Sequence, residues 1–198
     1  MDANRVLEEL RNTSDILLNW FNINLMKVNP DKFHLINSND KEIKMKVGDT
    51  YITNSKCEKL LGIKIDNKLS FEPHVDSLCR KASQKLNALS RIVSSITFEQ
   101  RKIILNSFII SQFSYCPLIW MFHSRKLNSR INRIHERALR LVYKDNLSNF
   151  QELLQKDNSV TIHQRNLQKL VTEIFKVKIE AAPEIMKSVF NIIDSHYN

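Results

Sequence analysis

The chain has 198 residues, 42% of them hydrophobic and 26% charged, and a formal net charge of +9. That length can bury a real core, as one domain or two small ones, and that composition is that of a folded soluble protein. No internal repeat and no low-complexity tract is present, and only two glycines occur, so the chain is expected to be helix-rich.

Residues 4–22 carry Val6, Leu7, Leu10, Ile16, Leu17, Trp20 and Phe21 at helical spacing. Asn29-Pro30-Asp31 follows as a turn signal. Short β-type runs come next. Phe33 to Ile36 is apolar, Ile43, Met45 and Val47 alternate with lysines, Gly48-Asp49 marks a turn into Tyr51-Ile52, and Lys59 to Asp66 closes the set. Residues 1–66 therefore read as one helix on a small antiparallel sheet.

From Phe71 onward the pattern is helical. Pro73 suits a first helical turn, and Val75, Leu78, Ala82, Leu86 and Leu89 mark one face up to about Ser94. Thr97 to Gln100 is a capping box opening a helix through about Phe113. Ile103 to Phe122 is the most apolar stretch. It carries Asn106, Ser107, Ser111, Gln112, Ser114 and Pro117, so it predicts a buried helix and a second, Pro-marked segment rather than a membrane span. Ser124 is a plausible N-cap for a helix over Arg125 to Lys144. Thr161 to Gln164 is a second capping box for a helix to about Ile179, and Pro183 starts a short last helix near Phe190.

Charge sorts with these elements. Residues 1–66 hold 10 basic and 10 acidic side chains, residues 67–144 hold 14 and 4, and residues 145–198 hold 6 and 7. The whole excess lies in the middle segment, which argues for a binding surface rather than general solubility. Within it, Lys126, Arg130, Arg133, Arg137, Arg140 and Lys144 recur at helical spacing and fall inside an arc of about 80°. Leu127, Ile131, Ile134, Ala138 and Leu141 occupy the adjacent arc. Glu136 is the one acid of the run, so this cationic rail points to a nucleic-acid backbone; the competing reading is a solvated basic face.

Cys57, Cys79 and Cys116 form no CxxC pair, and Cys116, His123 and His135 lack zinc-finger spacing, so no metal site is expected. An odd cysteine count without a signal peptide predicts an intracellular location, cytoplasm or nucleus. His74, His123 and His135 either contact phosphate or pack with neighbours. Tyr115, Trp120 and Phe122 either stack on bases or fill the core.

Five strings in this order resemble one family: Asp15 to Phe21 (DILLNWF), Val28 to Phe33 (VNPDKF), Leu60 to Asp66 (LLGIKID), Ser111 to Trp120 (SQFSYCPLIW) and Ile131 to Arg140 (INRIHERALR). Together they resemble the C-terminal portion of the reverse transcriptases of jockey-like non-LTR retrotransposons, across nearly the whole chain. The resemblance implies an α+β fold. Residues 1–66 would be the C-terminal part of a polymerase palm, residues 67–144 a helical thumb-like region and residues 145–198 a helical tail. It implies that Lys32 assists the leaving pyrophosphate when the full palm is present, that Leu60, Leu61 and Gly62 grip the primer end, and that the thumb holds RNA, DNA or an RNA–DNA hybrid by its backbone.

The family places an Asp-Asp pair just upstream of the helix over 4–22, where it holds Mg in the full-length enzyme for two-metal catalysis. This chain starts at Met1 and contains no Asp-Asp dipeptide. Asp2, Asp15, Asp31, Asp40 and Asp49 are scattered over a helix and turns. Two functions follow as expectations. One is a fragment of an RNA-directed DNA polymerase whose N-terminal portion is missing. The other is a stand-alone nucleic-acid-binding module without enzymatic activity.

Overall fold

The computed structural model describes residues 3–39 and 41–189. Asp2, Asp40 and the chain from Phe190 on lie outside the described residues. The fold is α+β, with long helices and two small antiparallel hairpins. The chain divides into two compact units, Met1–His74 and Val75–Asn198.

In the first unit, helix α1 (Ala3–Ile23) lies against strand β1 (Lys44–Val47), which pairs with β2 (Thr50–Thr53). Met45 and Val47 point inward and are buried, while Lys44 and Lys46 point out, as period-2 alternation requires. Gly48 supplies the positive φ of 60° at the first central position of their turn. β3 (Cys57–Leu60) and β4 (Ile63–Asp66) form the second hairpin. The single sheet expected from sequence is thus two separate two-stranded sheets.

The apolar run Phe33 to Ile36 forms no strand. It follows a 3-10 turn, Pro30–Lys32, and touches the β residues through one bridge, Ile36 to Ser55. Local side-chain bonds confine it: the Asp31 N–H donates to Asn29 Oδ1 at 2.9 Å, and the Asn39 N–H to Asn37 Oδ1 at 3.1 Å. The two Asx turns bracket the run and set the backbone on either side of it.

The apolar side chains of α1 are unevenly covered. Leu7, Leu18 and Phe21 are half-buried. Val6, Leu10, Leu17 and Trp20 remain 40–51% exposed and, with Thr13, recur at the spacings 4, 3, 4, 3 of a helix-packing seam. At the other end of the unit, Asp66 fixes the entry to α2 (Glu72–Ile92). Its carboxylate accepts from the Ser70 N–H at 3.1 Å, the Ser70 hydroxyl at 2.9 Å and the Phe71 N–H at 2.7 Å. Burial alone would raise the Asp66 pKa, but these bonds outweigh it and hold the carboxyl below its usual range.

The second unit is helical. After α2 come α3 (Phe98–Ile104), a π turn at Leu105–Ile109, a 3-10 turn at Ile110–Phe113, α4 (Pro117–Trp120), α5 (Arg125–Tyr143), α6 (Phe150–Asp157), α7 (Ile162–Lys178) and α8 (Glu184–Val189). Both capping boxes read from sequence form: Thr97 with Gln100, and Thr161 with Gln164. A third, Asn149 with Glu152, opens α6 and was not read. Pro117 takes the first position of α4 behind Cys116, whose φ is 42°.

The core of this unit gathers Leu86 and Leu89 from α2, Leu105, Ile109 and Phe113 from the helical run after α3, Trp120 from α4, and Ile131, Ala138, Leu139 and Val142 from α5. Each large apolar side chain buried this fully contributes roughly 1.5–3 kcal/mol. α6 and α7 pack on α5, so the residues after 144 share this core through Leu153, Leu154, Ile162 and Val177.

Candidate nucleic-acid interface

Helix α5 runs from its N-cap Ser124, whose side chain accepts from the Leu127 N–H, to Lys144, a C-cap with φ of 51°. Leu127, Ile131, Ile134, His135, Ala138, Leu139 and Val142 form its buried face. The six rail residues lie along the edge of that face. Lys126, Arg130, Arg133, Arg137 and Lys144 are exposed, and Arg140 is half-buried.

The rail is partly answered from within the chain, which local sequence did not reveal. Arg130 forms an ion pair with Asp76 of α2, and the Arg137 Nη2 donates to Asn87 Oδ1 of α2 at 2.8 Å. Arg140 pairs with Glu136 at 2.7 Å. Lys126, Arg133 and Lys144 have no ion pair among the described residues. The rail edge therefore borders α2. Positions 76, 80, 83 and 87 of α2 share one face at helical spacing, which places Arg80 beside the two bridges. Arg80 is exposed, has no partner among the described residues, and adds a cation that reading α5 alone had missed.

The histidines and aromatics divide. His74 and His135 are buried, with His135 only 1% exposed. Burial, and secondarily the charge of Arg165, push the His135 imidazole down to about 4, so it stays neutral. His123 is half-buried, and burial lowers its pKa against the opposing pull of the Trp120 carbonyl. Trp120 is a core residue whose indole N–H donates to the Tyr115 carbonyl at 3.0 Å. Tyr115 and Phe122 are exposed.

The residues attached to the palm resemblance lie in the first unit. Lys32 ends the 3-10 turn and is exposed. Leu60 ends β3, and Leu61 and Gly62 form the two-residue turn into β4, with φ of 47° and 91°. Both positive values match a type I′ hairpin turn, which favours Asn-Gly; here Leu61 takes the left-handed position and stands 82% exposed. A leucine there costs backbone strain and apolar exposure together.

Asp15 sits on α1, Asp31 in the 3-10 turn and Asp49 in the first hairpin turn. Among the described residues no group of three or more His, Cys, Asp or Glu side chains is placed to hold a metal ion. Among the described residues, no helix is long and apolar enough to cross a membrane.

Fold and site together define an α+β protein whose helical unit carries a cationic edge beside two packed helices. No protein family, curated protein or solved structure matches the chain.

Proposed function

We propose that this chain holds a nucleic-acid duplex by its backbone, as the palm end and thumb of an RNA-directed DNA polymerase of the non-LTR retrotransposon kind. The observation that carries the reading is the set of cations Lys126, Arg133 and Lys144 along one edge of α5, without an ion pair among the described residues and with Arg80 beside them, in a segment that holds 14 basic and 4 acidic side chains. Evenly spaced cations with few acids suit phosphates and need little base readout. The exposed Leu61 at a strained hairpin tip adds support, because strain kept at a surface turn points to use. The apolar seam of α1 supports the view that the palm part works with further polymerase elements. In this reading the chain alone does not polymerise, since its sequence contains no Asp-Asp dipeptide of the kind the family uses to hold Mg. A second reading, a stand-alone binding module, is favoured by one observation: the rail sits in a compact unit with a core of its own.

The test is binding of the purified chain to an RNA–DNA hybrid across a salt series. A log–log slope of about −3 to −5 is expected. Reversing Arg133, Arg137 and Arg140 to glutamate should abolish binding, and unchanged binding in that folded triple variant would refute both readings. The two readings separate on the genome: an upstream frame encoding an Asp-Asp strand turn supports the polymerase, and its absence supports the module.

A further inference from the structure

A groove of about 650 Å³ separates the Cys116–Ile119 turn from α7. One wall is apolar and formed by Pro117, Leu118 and Ile119. The other carries Arg165, Lys169 and Glu173, which follow one another at one-turn spacing along α7. Arg165 and Lys169 are half-buried, and among the described residues neither side chain has a hydrogen-bond or ion-pair partner. Two partly desolvated cations beside an apolar wall are complementary to a carboxylate on an apolar body. The apolar surface continues beyond the groove: Thr172, on its rim, is followed along α7 by the exposed Phe175 and Ile179.

From this groove we infer a docking site for a short acidic, apolar peptide segment of a partner protein. The apolar wall favours a peptide over a nucleic-acid backbone as the occupant. A phosphate chain would meet the two cations but leave Pro117, Leu118 and Ile119 uncovered, whereas a peptide offers a carboxylate and an apolar side chain together. The apolar wall would take a leucine, isoleucine or phenylalanine anchor, and the two cations the flanking aspartate or glutamate. The site lies on α4 and α7, away from the edge of α5 that faces α2, so it stands or falls independently of duplex binding.

The whole chain, immobilised, is panned with a phage-displayed library of random short peptides, and enriched sequences are remade with fluorescein for anisotropy titration. Enrichment of an aliphatic or phenylalanine anchor flanked by acids is expected. Binding should weaken by about tenfold or more in Arg165→Glu/Lys169→Glu. It should weaken similarly in Thr172→Trp, which fills the groove without changing charge, and stay unchanged in Lys126→Glu/Arg133→Glu. Circular dichroism checks that each variant is folded. Bound peptide should also slow alkylation of Cys116, the exposed free thiol of the groove. No enriched peptide, enriched peptides without acids, or affinity unmoved by both groove variants would overturn the proposal. So would displacement of the peptide by RNA–DNA hybrid together with loss of hybrid binding in Arg165→Glu/Lys169→Glu, which would make these cations phosphate contacts.

Discussion

The guanidinium of Arg101, 8% exposed, donates through Nε to the carbonyl of Val142 at 2.9 Å, joining α3 to the end of α5. Its Nη1 lies 3.2 Å from the carbonyl oxygens of both Val93 and Ile96, beyond the end of α2. One buried cation thus ties α3 to the end of α5 and to the segment that follows α2, and satisfies three carbonyls there. Arg101→Met should destabilise the second unit by about 2–4 kcal/mol, because three carbonyls lose their donor at once. Arg101→Lys should rescue little, since one ammonium cannot span the three sites. Thermal melts followed by circular dichroism measure both, and a change below about 1 kcal/mol would show the carbonyls finding other donors.

The rail should separate into free and bridged cations. Arg133→Ala and Lys126→Ala are expected to reduce the salt slope of hybrid binding by about one each with little change in stability. Asp76→Asn removes the acid beside Arg130 and should strengthen hybrid binding a few-fold. It should barely alter the melting temperature, since both partners of that pair are substantially exposed. Weaker binding by Asp76→Asn would mean that Arg130 is useful only when held by Asp76.

Leu61→Asn replaces a leucine at φ 47° with a residue that type I′ turns favour. It should stabilise the β3–β4 hairpin by about 1 kcal/mol, read as a higher urea midpoint. If the tip engages a primer end, the same variant should bind hybrid less well. A stabilised variant with undiminished binding would separate the tip from the binding surface.

His135 predicts a pH dependence with a defined sign. Its folded pKa, about 4, lies below the ordinary 6.5, so the unfolded chain takes up the proton first as pH falls. Stability is full above about pH 6.5 and is lost between there and about pH 4, with a slope approaching 1.4 kcal/mol per pH unit. His123 shifts in the same direction and adds to it. Asp66 and Asp145 are held low, Asp145 by Lys156 first and then by Ser148, so their effects fall at lower pH. His135→Leu should flatten the curve over that window in a series of melts, and an unaltered curve would assign the loss to other groups.

The features legible in the sequence were those built from near neighbours. Thr97 and Gln100, Thr161 and Gln164, and Ser124 each cap a helix within three residues, so residue types at fixed offsets were enough. Asn149 and Glu152 follow the same rule with asparagine as the cap and were overlooked. Phe33 to Ile36 has strand composition but lies between Asx turns, so local chemistry overrode its propensity. What sequence could not show was partnership at a distance. Asp76 meets Arg130 across 54 residues, and Arg101 meets Val142 across 41. A buried arginine and a surface one look alike until tertiary packing decides which carbonyls surround them.

The seam on α1 carries a consequence for the lifetime of the protein in a cell. Val6, Leu10, Leu17 and Trp20 present a row of apolar side chains of the kind that chaperones retain and quality-control proteases sample. Copies made without something to cover that row would be turned over quickly. Those that find a cover would accumulate, so steady-state abundance becomes a gauge of assembly.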